Sequence, residues 1–436
     1  MAASLQAQVS TSAQFIKAVV NGAPGDTIKL NAGQFIIPAS LSPKAGTKII
    51  GAGVGKTIIT AHSNWKANDS LLPEKETPDA YLFKLIKAPN ITISHLTLTA
   101  PNLHGAIYAD NADGLELHNL LLRDFKWSSI RTFLMDRFKV HDSTFINAGG
   151  KFKWNGGALY MHYTRDSEFW NNTIKNTSTN PDRQFYGFKG RQAINTRIHH
   201  NTVLVNFSIE LPHEKDENVE IDHNRLDGVI SIPKQDGGTY FTDKLSYYIH
   251  HNWLLKSYSI EGPRNSIEIA YNYFDFKTSD DTGHMITSFA TTPVSGLALI
   301  HDNQIKNPGR GIISTSGVYN TIHFYNNHVR ANTTTRKDGF FGFHAASDFS
   351  TYVIKDNIIE NIASTPRPLM RNTASYKALI ENNMLKNISD VNSFKNASTG
   401  APRGLTSPLN FRAGAYEQFA VTGWNVKRSL VRARRK

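Results

Sequence analysis

The sequence predicts an all-β fold, a right-handed parallel β-helix: a solenoid of about twelve coils with an N-terminal capping helix and an internal asparagine ladder. Three observations point to it. A pattern of an apolar residue, two variable positions, Asn, one variable position and an apolar residue recurs at Phe169–Ile174, Ile198–Val203, Ile221–Leu226 and Ile249–Leu254. It continues at Asn272, Asn303, Asn327, Asn357 and Asn383, with weaker copies at Ser143, Leu120 and Leu96. The intervals between marked positions run from 20 to 31 residues, as expected of short strands joined by loops of unequal size; helical repeats would show a 3.6 period and steadier lengths. The surrounding runs alternate and are rich in Ile, Val, Phe and Tyr, as strands are.

The elements follow in order. Phe15-Ile16-Lys17-Ala18-Val19 reads as one amphipathic helix that caps the open end of the stack. Ala23-Pro24-Gly25-Asp26 turns the chain into a first strand at Thr27-Ile28-Lys29-Leu30. Ser63 to Pro78 is polar and aperiodic, an inserted loop. At the far end, Pro408–Phe411 through Gly423–Val426 is expected to cover the last coil, because a solenoid without caps exposes open sheet edges. The organisation is a single domain over 1–436: an N-terminal cap (1–35), coils (36–390), then a C-terminal cap and basic tail (391–436). Asn suits the repeated position because it tolerates the left-handed conformation of a tight turn, and stacked copies can pass amide hydrogen bonds along the axis. The ladder is therefore read as structural.

Composition bounds the partners. Of 436 residues, 48 are Lys or Arg against 36 Asp or Glu, a net charge of +12, which favours an anionic partner. The basic residues are spread through the chain and no nucleic-acid-binding fold is signalled, so an acidic glycan is preferred over nucleic acid. No apolar run approaches the roughly 18 residues of a membrane span. Cysteine is absent, which removes disulfides, thiolate metal sites and a Cys nucleophile. Met1-Ala2-Ala3-Ser4 opens no signal peptide; with the cysteine-free composition, a secreted or periplasmic bacterial protein whose leader has been removed is expected.

Equivalent positions on successive coils stack about 4.8 Å apart. Counting back twelve residues from Asn172 and Asn201 makes Tyr160 and Lys189 neighbours; counting back ten does the same for His162 and Arg191. The next coil offers Glu210, His213 and Glu214, while Leu159, Met161, Phe188, Ile209 and Leu211 point inward. Such a collection suits β-elimination on a uronate. The C5 proton is weakly acidic until the adjacent carboxylate is neutralised; a base then removes it and an acid protonates the departing 4-oxygen. Lys189 is the candidate base and Tyr160 the candidate acid, with exchange of those roles left open. Arg191 and His213 are candidates for holding the carboxylate, and Glu210 for orienting Lys189 or Arg191.

Two other sets are read as structural. His200, His223 and His251 precede the ladder Asn, and His199, Asp222 and His250 precede those; stacked His and Asp can bind zinc, but these recur with the ladder itself. The acidic run from Glu210 to Glu220 lacks the spacing of a calcium loop. No metal or cofactor is expected.

The stretch Tyr186-Gly187-Phe188-Lys189-Gly190-Arg191, followed by Arg197–Thr202 and Phe207–Glu214, resembles the alginate lyases of polysaccharide lyase family 31. It is also similar to family 6, which contains alginate lyases and chondroitinase B. In that family an Asn-Gly-Gly segment precedes the coil of the catalytic Lys, as Asn155-Gly156-Gly157 precedes Lys189 here. Family 6 holds calcium beside that Lys with acidic residues just upstream; here Asp182 and Gln184 stand there. It also uses an Arg after a Leu on the next coil, where this chain has Leu211-Pro212. Pro212-His213-Glu214 with Leu226-Asp227-Gly228 is similar to the catalytic segment of mannuronan C5-epimerases, though Phe207 and Leu211 replace the Tyr and Asp of that site.

These resemblances imply a polyuronate lyase acting on alginate, with Lys189 catalytic; stacking alone adds Tyr160 as its partner. Arg191, His213, Glu210, His162, Asn155 and Glu214 would bind substrate, and the protein is expected to work as a monomer. The alternatives are a C5-epimerase-like enzyme and a non-catalytic acidic-glycan-binding β-helix.

Overall fold

A computed structural model describes residues 6–68, 77–149, 157–180, 183–211, 216–232, 245–256, 260–261, 266–276, 284–288, 294–315, 319–332, 339–343, 351–370 and 378–389. The expected C-terminal cap and basic tail lie outside them. The fold is a right-handed parallel β-helix, and the chain divides into two compact units, 1–219 and 220–436.

In the first unit, helix Ser12–Asn21 buries Phe15 and Val19, and it starts at a capping box. The Thr11 hydroxyl accepts from Gln14 N at 3.2 Å, and Gln14 Oε1 accepts from Thr11 N at 3.2 Å, so two orphan N–H groups of the first turn are satisfied. A strand missed in the sequence, Gln6–Val9, precedes it and pairs in parallel with Thr27–Leu30. Six strands then stack in register to form one sheet: Tyr81–Ile86, Gly105–Asp110, Ile130–Asp136, Gly157–Arg165, Tyr186–Ile194 and Phe207–Glu210. Their inward row, Phe83, Ile107, Ile130, Leu159, Phe188 and Ile209, is fully buried. Each such side chain contributes about 1.5–3 kcal/mol.

The second unit follows the same plan with the strands Val229–Ser231, Ile260–Glu261, His284–Ser288, Gly311–Thr315 and Phe341–Phe343. The turns number about ten, against the roughly twelve expected from counting the marked positions themselves. Among the described residues no helix is long and apolar enough to cross a membrane.

The ladder is present in both units. Asn172 Nδ2 donates to Asn201 Oδ1 at 3.0 Å. In the second unit the bonds run from Asn224 to Asn252, then through Asn272, Asn303, Asn327 and Asn357 to Asn383, at 2.8–3.2 Å. One detail differs from expectation: the ladder Asn is not the left-handed residue. Positive φ falls one position earlier, at Asn171 (51°), His200 (54°), His223 (54°), His251 (54°), Tyr271 (57°), Asp302 (53°) and Asn326 (58°). The conformational burden lies there, mostly on residue types that bear it best. The ladder Asn is selected instead for its amide, which donates both to the next Asn and to backbone carbonyls.

Candidate active site

Register places two rows on the outer face of the six-strand sheet. The first is Lys84, Tyr108, Arg131, Tyr160, Lys189 and Glu210; the second, two residues along, is Ile86, Asp110, Phe133, His162 and Arg191. The pairings Tyr160 with Lys189 and His162 with Arg191 are those expected from counting back along the ladder. Between the rows an inward set includes Met161 and Gly190, and a Cβ on Gly190 would lie 2.8 Å from Leu211 Cδ2. Gly187 is more constrained. A Cβ there would meet Ser208 O at 2.4 Å, so glycine permits the close approach that brings Lys189 beside Glu210.

The outward groups are packed against one another more than a solvated face would be: Tyr160 and Arg131 are each only 7% exposed. The Arg131 guanidinium sits over the Tyr160 ring, 3.9 Å from its centroid. Lys189 Nζ approaches the same ring at 5.3 Å and the Tyr186 ring at 4.2 Å. Lys189 Nζ also forms an ion pair with Glu210 Oε1 at 3.1 Å. His162 stacks on Phe133 with ring centroids 4.8 Å apart and leans against Tyr160 at 4.8 Å. Burial, aided by the charges of Arg131, Arg191 and Lys189, pushes the His162 pKa down to about 3. Its Nε2 is buried and makes no hydrogen bond. His162 is therefore a neutral imidazole at ordinary pH, a hydrogen-bonding group and not a cation for a carboxylate.

Just beyond the second row the chain turns through non-glycine residues with positive φ at Leu134 (51°), Tyr163 (58°) and Gln192 (54°). A left-handed residue costs about 1–2 kcal/mol, and the kink skips one residue in the pairing, from Phe133–His162 to Met135–Thr164. The stacked kinks fix where Phe133, His162 and Arg191 leave the sheet.

Of the residues proposed from sequence, the structure brings together Lys189, Tyr160, Glu210, His162 and Arg191. Asn155, His213 and Glu214 lie outside the described residues, as does Asp182. Arg131 and Tyr186 were missed. Counting back twelve from the weak ladder copy at Ser143 reaches Arg131, so the signal was present in the pattern.

The calcium arrangement of family 6 does not fit the described residues. Gln184 stands upstream of Lys189, and its buried amide is engaged by backbone: Oε1 accepts from Ala148 N at 3.0 Å and Nε2 donates to Tyr186 O at 3.2 Å. It supplies a single amide oxygen, already bonded, where a hard cation takes several oxygen ligands.

No family model matches the chain, and no curated protein is similar to it. Solved structures are similar in fold. The Pseudomonas phage phi297 tailspike gp61 aligns with a TM-score of 0.56 at 9% identity, covering 83% of this chain and 75% of that one. The family 6 alginate lyase AlyGC aligns at 0.50 and 12% identity, covering 83% of this chain and 52% of that one. An alginate lyase from Paenibacillus sp. str. FPU-7 aligns at 0.45 and 12% identity, covering 72% and 98%. At these identities the likeness is one of fold. The chemistry has to come from the side chains.

Proposed function

We propose that this protein is a polysaccharide lyase that cleaves a polyuronate, alginate first among them, by β-elimination. The observation that carries the reading is the juxtaposition of Tyr160 and Lys189 on neighbouring strands, beside two guanidinium-bearing residues, Arg131 and Arg191. A uronate carboxylate lying over this face meets the guanidinium groups of Arg131 and Arg191, on the two strands that flank the one carrying Tyr160, which is the stabilisation an enolate-like transition state requires. Lys189, which must enter the step as the unprotonated amine, takes the C5 proton, the C5–H electron pair becomes the C4–C5 double bond, the C4–O4 bond breaks, and Tyr160 gives its proton to O4. The products are a shortened chain and an unsaturated uronate end. Glu210 holds Lys189 Nζ in place, and neutral His162 offers a hydrogen bond to a sugar hydroxyl. The reaction written this way uses side chains alone. Alginate lyases and mannuronan C-5 epimerases among the proteins of similar fold agree with the substrate class without carrying the argument. A hydrolase would need two opposed carboxylates, whereas Glu210 is paired with Lys189.

The test is ultraviolet absorbance of the unsaturated uronate, with alginate blocks and glucuronan as substrates. The wild-type chain is expected to produce it, and Lys189→Ala to lose about a thousandfold in rate with little change in melting temperature. A variant that keeps its rate overturns the role of Lys189. A flat trace from the wild-type chain on every polymer overturns the lyase reading.

A further inference from the structure

A second cluster stands in the unit 220–436. Strand Val219–Asp222 carries Glu220 and Asp222 two residues apart and so on one face, and its hydrogen-bonded neighbour Leu245–His250 ends in His250. Ligand atoms of Glu220, Asp222 and His250 all lie within 4.8 Å of one another, the one such group among the described residues. His250 Nε2 is 3.1 Å from Glu220 Oε1. Asp222 is completely buried and its Oδ2 accepts from His223 Nδ1 at 2.7 Å. The Glu220 side chain is 35% exposed, the His250 side chain 6%, so the cluster is closed on one side and open on the other.

The coil repeat accounts for part of this arrangement and not for the rest. Glu168 meets His199 at 2.9 Å and Glu268 meets His301 at 3.0 Å in the same manner. The residue two places after the glutamate is Trp170 in one case and Ala270 in the other. At Asp222 alone of these three it is a second carboxylate, placed in the interior where an ionised group needs a compensating charge. The imidazole contact to the following residue belongs to the repeat, since His199 Nδ1 likewise lies 2.8 Å from His200 Nδ1, but it bears on the tautomer. His250 Nδ1 lies 2.8 Å from His251 Nδ1, a contact that holds one proton. When His250 is its donor, the Nε2 lone pair faces the two carboxylates, the tautomer that a metal-ligating histidine adopts with its other N–H fixed by a neighbour.

We infer that Glu220, Asp222 and His250 form a site for one borderline divalent cation, zinc above calcium, bridging successive coils. One imidazole nitrogen with two carboxylates is a donor set for a zinc-like ion; calcium would require six to eight oxygens. Three protein ligands leave the fourth position of a tetrahedral ion toward the open side at Glu220. The ion joins two strands that are 28 residues apart at their ladder positions, Asn224 and Asn252, and stabilises them by binding only the folded chain.

The test uses the full chain after treatment with a chelator. Zinc is titrated by calorimetry, and cobalt is added as a spectroscopic probe of imidazole ligation. One equivalent of zinc is expected to bind and raise the melting temperature, with calcium at least tenfold weaker. Glu220→Gln is expected to weaken zinc by about tenfold or more while leaving the metal-free melting temperature near wild type, since Glu220 is partly exposed. Asp222→Asn should do the same for affinity. Absence of saturable zinc binding to the wild-type chain, or equal affinity in Glu220→Gln, overturns the site: the cluster is then held by a proton on His250. Calcium binding as tightly as zinc overturns the assigned class of ion. The readout is binding, so it stands apart from any test of the lyase reading.

Discussion

The ladder corner and the outer face of the six-strand sheet are built by the same stacking of coils, yet they treat polar groups in opposite ways. At the corner one residue type repeats and each amide is saturated: Asn303 Nδ2 donates to Asn327 Oδ1 at 3.0 Å, to Ile269 O at 2.9 Å and to His301 O at 2.9 Å. On the face the row changes identity at every coil, from Lys84 through Tyr108, Arg131 and Tyr160 to Lys189. Cations and aromatic rings stack on one another there, with Lys189 paired to Glu210, and a buried imidazole nitrogen of His162 is left without a hydrogen bond. Repetition marks the part of the coil that holds it together. The loss of repetition marks the part free to acquire chemistry.

The histidines show the same contrast. His162 on the face is driven down by burial and three neighbouring cations. His301, beside the ladder in the second unit, meets a burial penalty that is outweighed by hydrogen bonds and charges from Asp302 and Glu268, and its pKa is raised.

Three experiments sharpen or break this comparison. Asn303→Ala removes several buried bonds and strands the neighbouring amides, so a loss of about 4 kcal/mol in chemical denaturation is expected. A loss below about 1 kcal/mol would mean that the ladder is ornament. Arg131→Met keeps the volume over the Tyr160 ring and removes the charge. It should lower kcat/KM on the polymer about a hundredfold, equivalent to about 2.7 kcal/mol, with folding stability near wild type; unchanged turnover would confine Arg131 to packing.

The third experiment is a titration. Because the folded pKa of His162 lies below the unfolded value near 6.5, its stabilising contribution is complete above 6.5 and is lost as pH falls toward about 3. The full shift would correspond to nearly 5 kcal/mol, and after discount for partial exposure the loss is on the order of 2 kcal/mol. His301 has the opposite sign: its contribution is present below 6.5 and disappears as pH rises through its raised pKa. Imidazole resonances followed by NMR should separate the two, and a common midpoint would break the contrast.

The fold was readable because the ladder interval and the alternation of strand side chains are both strict periods. Tyr160–Lys189 and His162–Arg191 followed from them by counting. Arg131 was overlooked because the repeat mark on its coil is Ser143 and not Asn, although Leu120 N still donates to Ser143 Oγ at 3.1 Å and keeps the ladder geometry. The left-handed position was misassigned to Asn itself because backbone dihedrals leave only a statistical trace, and Asn, Asp, His and Tyr share the preceding site. The packing of the face was equally hidden: a sequence shows that Tyr160 points outward, but not that a guanidinium from an adjacent strand covers it. Asp222 and His250 read in the sequence as zinc-capable ladder neighbours and were assigned to structure, and Glu220 was not grouped with them. Stacked positions were compared down single columns, whereas this cluster crosses two columns.

The sharp corner at each ladder position has an evolutionary consequence. With one left-handed residue and one saturated amide fixing that corner, differences in coil length must be absorbed at the other turns. Loop closure is forgiving, since doubling a flexible loop costs only about 0.6 kcal/mol. New segments can therefore be spliced into the rim without re-indexing a single strand of the core. The corner acts as a datum against which the rest of each coil can be rewritten, so that descendants of one scaffold can differ in what they grip while remaining superimposable at their asparagines.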